Sequence, residues 1–132
     1  MKFYKNIFLI LLSLVAFQGY SQNSLDVLGL GSTTPAAVAY SLRKVSSSYS
    51  GNAIQVRRSI DNATLNIGFD GSGNLDSAAL LAFVGVQDGY ISIWYDQSGN
   101  NRHLVKTDLN QQPRIVSNGI FKYIGTKIAI DF

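Results

Sequence analysis

The sequence predicts an all-β sandwich with two short helices. Several short segments alternate apolar and polar residues with period two, turn residues separate them, and only two segments have helical spacing or helical end signals. A series of such segments along one chain is typical of two packed β-sheets. The predicted strands are residues 53–59, 64–69, 90–95, 114–116, 120–124 and 127–132.

The first predicted helix precedes all of these strands. Thr34 supplies a hydroxyl cap and Pro35 suits the first helical position. Apolar residues then recur at helical spacing, at Val38, Leu42 and Val45. This pattern predicts a helix from about Pro35 to Ser46.

The second predicted helix covers residues 75–84, which are apolar and rich in alanine. Asn74 or Asp76 would cap it and Gly85 would end it. The turn chemistry of Asp61-Asn62 and of Asn118-Gly119 predicts two β-hairpins on either side of this helix.

The beginning of the chain has the layout of a secretory signal peptide. Lys2 and Lys5 are followed by an apolar run at residues 7–17 and then by small and polar residues. This run is too short to span a bilayer, which takes roughly 20 apolar residues. We expect cleavage between Ser21 and Gln22, secretion to the periplasm or outside the cell, and no membrane attachment afterwards. An uncleaved anchor is the alternative.

The mature chain would carry almost no net charge. The formal charge of +3 includes Lys2 and Lys5, and the rest of the chain has nine basic and eight acidic residues. Only Arg43-Lys44 and Arg57-Arg58 are adjacent basic pairs, and the second pair is expected on a solvated strand face. Nucleic acid is therefore not an expected partner, because such binders carry a basic patch.

Two absences from the sequence limit its chemistry. The chain has no cysteine, so no disulfide braces the fold. All eight acidic residues are aspartates, and there is no glutamate.

One series of motifs resembles a known family. It is similar, in order and spacing, to the N-terminal part of the catalytic domain of arabinofuranosidase B-type glycoside hydrolases. The similarity covers about Ala39 to Leu104, and segments of this kind also resemble laminin-G-like, non-catalytic surface proteins. The motifs are Ala39-Tyr40-Ser41-Leu42-Arg43, Tyr49-Ser50-Gly51, Ile54-Gln55-Val56-Arg57-Arg58-Ser59, Ile93-Trp94-Tyr95-Asp96-Gln97-Ser98-Gly99 and Arg102-His103-Leu104.

The resemblance implies a concanavalin A-like jelly roll, of which this chain would be a part. Residues 22–33 would be a leader, and residues 34–132 the first part of the domain, truncated at its C-terminus. The implied partner is a plant or surface polysaccharide such as arabinan or arabinoxylan, from which the family releases terminal L-arabinofuranosyl groups with retention. The missing C-terminal half of the domain would be needed for this reaction.

No catalytic residue is expected in this chain. Retaining glycosidases need two carboxyl groups about 5–5.5 Å apart. The resemblance implies a glutamate nucleophile and an aspartate acid/base, both beyond the matched segment. We therefore expect the chain to be inactive by itself, and a non-catalytic carbohydrate-binding or adhesion module of the laminin-G kind is the alternative function.

Three polar residues near the best strand are candidates for a ligand contact. Asp96 ends that strand, and Arg102 and His103 follow closely. Asp-Gln-Ser-Gly also suits a tight turn, because an aspartate can bond backbone amides two residues on. His103 is the one histidine, and no nucleophile at a suitable spacing completes a site with it.

Trp94 and Tyr95 are the candidates for carbohydrate binding, because the C–H faces of sugars pack well on aromatic rings. Consecutive strand residues point to opposite faces, so one ring is expected in the core and the other on the open side of the sheet.

Residues 70–81 resemble a calcium-binding loop in part, because the oxygen-bearing residues Asp70, Ser72, Asn74 and Asp76 alternate there. The sixth position should be glycine and is Leu75, and the twelfth should be glutamate and is Leu81. A loop followed by a helix cap explains the same residues. No metal or other cofactor is expected.

Overall fold

The structure is a computed structural model that describes residues 23–30 and 36–132. The predicted signal peptide and the Thr34-Pro35 helix start lie outside the described residues. Within them, the chain is mostly antiparallel β-structure with two short α-helices, which confirms the predicted class at that level. The concanavalin A-like jelly roll stays a prediction. The helices are α1 (Ser24–Val27) and α2 (Ser77–Val84), and a 3-10 turn covers Leu109–Gln111.

Eight strands are described, and six of them form one sheet. The strands are β1 (Ile54–Arg58), β2 (Thr64–Ile67), β3 (Gly89–Trp94), β4 (Leu104–Val105), β5 (Arg114–Ser117), β6 (Ile120–Phe121), β7 (Tyr123–Ile124) and β8 (Lys127–Ile128). The sheet has the order β2-β1-β3-β5-β6, β4 also pairs with β3, and β7 and β8 form a separate hairpin. All pairings within these two sheets are antiparallel.

The local turn signals correctly predicted both hairpins. Asn62 has φ of 57° between β1 and β2, and Asn118 and Gly119 have φ of 50° and 77° between β5 and β6. Positive φ at both central residues gives the turn twist that antiparallel strands need.

The core lies between the sheet and α2. Ile54, Val56 and Ile67 are fully buried on one face of the sheet, where Leu80 and Val84 of α2 pack against them. Asp76 caps this helix by accepting a hydrogen bond from the Ala79 N–H at 2.9 Å. The second predicted helix is therefore confirmed, with its start at Ser77.

The first predicted helix is wrong over residues 36–46, which are irregular apart from an isolated antiparallel bridge at Arg43. Long-range hydrogen bonds take the backbone groups that helical bonds would need. The Gln97 side chain accepts from the Val45 N–H and donates to the Ser41 and Arg43 carbonyls. The Asp96 carboxylate accepts from the Ala39 N–H.

The last residues follow the predicted strand only in part. β8 covers Lys127–Ile128, and Asp131 then forms an isolated antiparallel bridge with Arg114. Ile128 and Ile130 pack against the core, whereas Phe132 is 95% exposed. Across residues 23–30 and 36–132, no helix is long and apolar enough to cross a bilayer.

Candidate functional site

The Asp96 carboxylate is the centre of a polar cluster at the end of β3. It is 1% exposed and accepts hydrogen bonds from the backbone N–H groups of Ala39 (2.8 Å), Ser98 (2.9 Å) and Arg102 (3.1 Å) and from the Ser98 hydroxyl (2.7 Å). Both carboxylate oxygens are occupied by these donors. The contacts are those of a tight turn that also holds a distant segment.

These donors keep Asp96 ionised. Burial raises the pKa of this carboxyl, but the hydrogen bonds from the Ser98 backbone and hydroxyl and from Ala39 outweigh it, so the pKa lies below its ordinary value. A general acid needs a raised pKa instead. Asp96 is therefore poorly suited to donate a proton to a leaving group.

Gln97 anchors the segment before β1, a role that the sequence alone does not indicate. Its side chain is buried, accepts from the Val45 N–H (3.0 Å) and donates to the carbonyls of Ser41 (2.9 Å) and Arg43 (3.0 Å). Its own backbone N–H donates to the Ala39 carbonyl at 2.7 Å. The one signal for this role was the position of Gln97 inside the motif that carries the family resemblance.

His103 and Arg102 belong to the same cluster. His103 Nδ1 accepts from the Asp96 N–H at 3.1 Å, so the neutral ring carries its proton on Nε2. The ring also meets Tyr95 edge-on, with centroids 4.9 Å apart. The Arg102 carbonyl accepts from the Tyr40 hydroxyl, and its guanidinium lies 3.5 Å from the Ala37 carbonyl. These contacts hold the loop against residues 37–40.

Trp94 and Tyr95 lie on opposite sides of the sheet. Trp94 packs against the core and against Tyr40, whose ring centroid is 6.3 Å away, and its Nε1 is buried without a hydrogen-bond partner among the described residues. Tyr95 lies on the open side, where its hydroxyl donates to Asn66 Oδ1 at 2.9 Å. Gln55 donates to the same oxygen at 3.0 Å. Sugar binding by either ring stays a prediction.

The structure thus brings Tyr95, Asp96, Arg102 and His103 together and turns Trp94 to the other side. Trp94 lines a separate cleft of about 320 Å³ between β4 and the segment before β5. Leu104 and Phe132 also line that cleft, and both are largely exposed.

The other aspartates are also engaged by partners in the fold. Asp70 Oδ1 accepts hydrogen bonds from the N–H groups of Ser72 and Asn74 within its own loop. Two carboxylates, Asp88 and Asp131, flank the Arg114 guanidinium at 3.7 and 3.3 Å. The remaining four accept hydrogen bonds in caps, turns and loop contacts: Asp26 from Ser47, Asp61 from Arg58, Asp76 from Ala79 and Asp108 from Asn110. In the described parts of the chain, no three potential metal ligands cluster.

The expectation of a solvated strand face is wrong for Arg57, which is buried. Its Nε donates to Gln112 Oε1 at 2.6 Å, and its other nitrogens donate to Asn62 and to the Leu109 carbonyl. The guanidinium also stacks on Tyr90, 4.7 Å from the ring centroid. Neutral oxygens and an aromatic face stabilise this cation.

The motif residues that form the cluster fall within a match to a known family. A family model described as "Alpha-L-arabinofuranosidase B, catalytic" matches residues 25–120. The chain belongs to this family. The arabinofuranosidase B match therefore includes the Asp96 and Gln97 anchors and the segment that they hold.

Individual arabinofuranosidases support the assignment. The chain is 37% identical over 81 residues to an alpha-L-arabinofuranosidase of Hypocrea jecorina, and 35% identical over 82 residues to a probable alpha-L-arabinofuranosidase B of Aspergillus clavatus. Each match covers 61% of this chain and 16% of the relative. The chain thus spans about a sixth of the length of these relatives.

Solved arabinofuranosidase structures share the fold of the matched part. One is an arabinofuranosidase complexed with arabinofuranosyl-alpha-1,2-xylobiose, with a TM-score of 0.56 and 32% identity. Another is a glycoside hydrolase family 54 enzyme soaked with a cyclic sulfate inhibitor, with a TM-score of 0.55 and the same identity. Each covers 64% of this chain, which covers 18% of the solved chain.

Proposed function

We propose that this chain is the first part of a secreted arabinofuranosidase B-type domain directed at glycans with terminal L-arabinofuranosyl groups, such as arabinan or arabinoxylan. The observation that carries the proposal is the family match over residues 25–120. Asp96 and Gln97, which lie within this match, hold the segment before β1 by hydrogen bonds, and in this proposal they form no reactive centre. The signal-peptide pattern at residues 1–21 supports the secreted location.

We propose further that the chain does not hydrolyse arabinofuranosides unaided. Retention requires a nucleophile and an acid/base about 5–5.5 Å apart with room for a sugar between them. The carboxylates of Asp88 and Asp131 have the Arg114 guanidinium between them instead. Hydrogen bonds from Lys122 and Arg114 lower the pKa of Asp131, which makes it a poor proton donor.

The proposed architecture is a concanavalin A-like jelly roll in which further strands complete a second sheet. The exposed apolar side chains around the Trp94 cleft support it. Leu104 is 53% and Phe132 is 95% exposed there, beside the half-buried ring of Trp94. An apolar surface of this kind is typically covered in the folded protein.

A chimera tests the role in the catalytic scaffold. Residues 25–120 replace the matching segment of the Hypocrea jecorina enzyme, and hydrolysis of 4-nitrophenyl α-L-arabinofuranoside is measured. We expect kcat/KM of the same order as in the parent, because this segment would supply scaffold only. A chimera that folds, by circular dichroism and thermal melting, but does not hydrolyse the substrate would contradict the proposal.

The 132-residue chain is assayed with the same substrate in parallel. No release of 4-nitrophenol above buffer is expected. Turnover that survives replacement of both Asp88 and Asp131 by asparagine would point to another pair of carboxylates, and any turnover at all would refute the proposed inactivity.

A non-catalytic carbohydrate-binding or adhesion module of the laminin-G kind is the second candidate function. The engagement of all eight aspartates by partners in the fold favours it, because binding needs no free carboxylate pair. An inactive chimera together with glycan binding by the intact chain would support this candidate over the first.

A further inference from the structure

A cleft outside the Asp96 cluster has the size and lining of a ligand site. It lies between residues 41–43, the loop of residues 70–75 and the β7–β8 hairpin, and its volume is about 470 Å³. Small-molecule sites typically enclose about 300–1,000 Å³. Residues 41–43 belong to a motif that carries the family resemblance, whereas the loop and the hairpin lie outside those motifs.

One wall of the cleft is held rigidly by the protein. Asp70 Oδ1 accepts from the N–H groups of Ser72 (2.8 Å) and Asn74 (2.9 Å), and the Asp70 N–H donates to the Asn74 carbonyl at 2.7 Å. The Lys44 N–H ties the loop to residues 43–44 by donating to the Gly73 carbonyl at 2.7 Å. The loop backbone and the Asp70 carboxylate are thus positioned before any ligand binds, which reduces the entropy lost on binding.

The lining offers both kinds of hydrogen-bonding group. Asp70 Oδ2 takes part in none of the loop bonds and is an acceptor, Asn74 supplies both an amide donor and an acceptor, and Ser77 supplies a hydroxyl. Lys127, on the opposite hairpin, adds a donor. A ligand with several hydroxyl groups, each of which donates and accepts, would satisfy this set.

An aromatic ring completes the cleft. Tyr123 is 55% exposed, and the edge contact with Phe121, with centroids 6.2 Å apart, supports its ring from one side. An exposed, supported ring can pack against the C–H face of a sugar without losing much conformational entropy. The hairpin contributes Tyr123 and Lys127 to the lining of the cleft, and the loop contributes Asp70 and Asn74.

We infer that this cleft binds a neutral sugar unit of a polysaccharide, with Tyr123 packing on the ring of the sugar and Asp70 and Asn74 binding its adjacent hydroxyls. The inference does not require hydrolysis, because the Asp70 carboxylate acts as an acceptor and no bond is broken. An inactive chimera would therefore leave this inference unaffected, because the inference concerns binding and the chimera test measures hydrolysis.

The test titrates the intact ¹⁵N-labelled 132-residue chain with α-1,5-linked arabinotriose and, separately, with β-1,4-linked xylotriose. We expect at least one of them to shift the amide signals of Asn74 and Thr126 in a saturable way. Tyr123→Ala should weaken that binding about tenfold, the change that corresponds to about 1.4 kcal/mol at 25 °C. Asp70→Asn should also weaken it, because the acceptor Oδ2 becomes a donor while Oδ1 keeps its loop bonds.

Two matched controls separate the cleft from general effects. Ile124→Ala changes an exposed side chain on the same strand that does not line the cleft, and Asp108→Asn changes a carboxylate that also bonds a backbone amide through Oδ1. Both should bind like the unaltered chain. The inference is overturned by no saturable shift with either sugar, by shifts centred on Tyr95 instead, or by tighter binding of glucuronic acid than of both neutral sugars.

Discussion

The Asp96 carboxylate holds the backbone N–H of Ala39 at 2.8 Å across 57 positions of the chain. The same carboxylate organises its own turn through Ser98, so a local turn and a distant segment share one anion. A buried carboxylate with this many backbone donors is stabilised as the charged form. Its replacement should therefore affect the segment before β1 as well as the turn.

Asp96→Asn should lower the free energy of unfolding by about 1–3 kcal/mol. The NH₂ group of asparagine would replace one carboxylate oxygen and would face a hydrogen-bond donor that this oxygen binds in the unaltered chain. Urea unfolding followed by circular dichroism measures the change. Asp108→Asn is the control, since Asp108 is exposed and accepts one backbone bond. Equal effects of the two substitutions would argue against a special role of Asp96.

The Arg58–Asp61 ion pair gives a pH dependence. The hydrogen bond from Arg58, 2.6 Å from the Asp61 carboxylate, lowers the pKa of Asp61 to about 2. The unfolded-state pKa of an aspartate is about 3.9, so the pair stabilises the fold above that pH and the contribution is lost as the pH falls from about 4 to about 2.

NMR titration of the Asp61 carboxyl measures this pKa directly. Arg58→Gln should return it towards about 3.9, and added salt should raise it in the unaltered chain because the pair is exposed. An unchanged pKa in Arg58→Gln would assign the shift to the backbone N–H of Ala63 instead.

Gly119→Ala should destabilise the protein more than Gly125→Ala. Both glycines have positive φ, 77° and 61°, and so share the strain of an L-residue there. A Cβ at Gly119 would also lie 2.6 Å from the Gly85 carbonyl oxygen, whereas a Cβ at Gly125 would have no neighbour within 4 Å. Thermal melting of the two variants compares them, and equal melting temperatures would show that the contact at Gly85 is relieved at no cost.

Leu104→Thr and Phe132→Ser should reduce self-association of the chain. Both residues belong to the exposed apolar surface around the Trp94 cleft, and Leu104 lies in β4, an edge strand. Exposed apolar edges favour association between chains. Sedimentation velocity would measure the change, with Val86→Ser as a control because Val86 is exposed outside this cleft. A sharp monomer peak for the unaltered chain would contradict the expectation.

Local sequence signals predicted the parts of the fold that local forces determine. The Asn118-Gly119 turn, the Asp76 cap and the alternation from Ile54 to Arg57 each identified an element correctly, because turn geometry and periodic burial depend on neighbouring residues. The helix at residues 36–46 failed for the opposite reason. The helix does not form because Gln97 and Asp96, more than 50 positions away, bind the backbone groups that its hydrogen bonds would need.

The candidate site residues were likewise predictable only where their positions depend on neighbouring residues in the sequence. Period two placed Trp94 and Tyr95 on opposite faces, as the structure does. The burial of Arg57 could not be foreseen, because Gln112 and Leu109, which surround it, belong to a later loop. The cleft beside Tyr123 was also unforeseen, because it forms only where the hairpin and the Asp70 loop meet.

Trp94 is the one tryptophan of the chain, and its buried indole N–H has no acceptor among the described residues. Because this N–H group is shielded from solvent, the fluorescence of Trp94 should have its emission maximum at a shorter wavelength than that of free indole in water. Any molecule that covers the neighbouring apolar cleft would change that emission directly. The protein thus contains its own optical reporter for assembly at this surface, without an added dye.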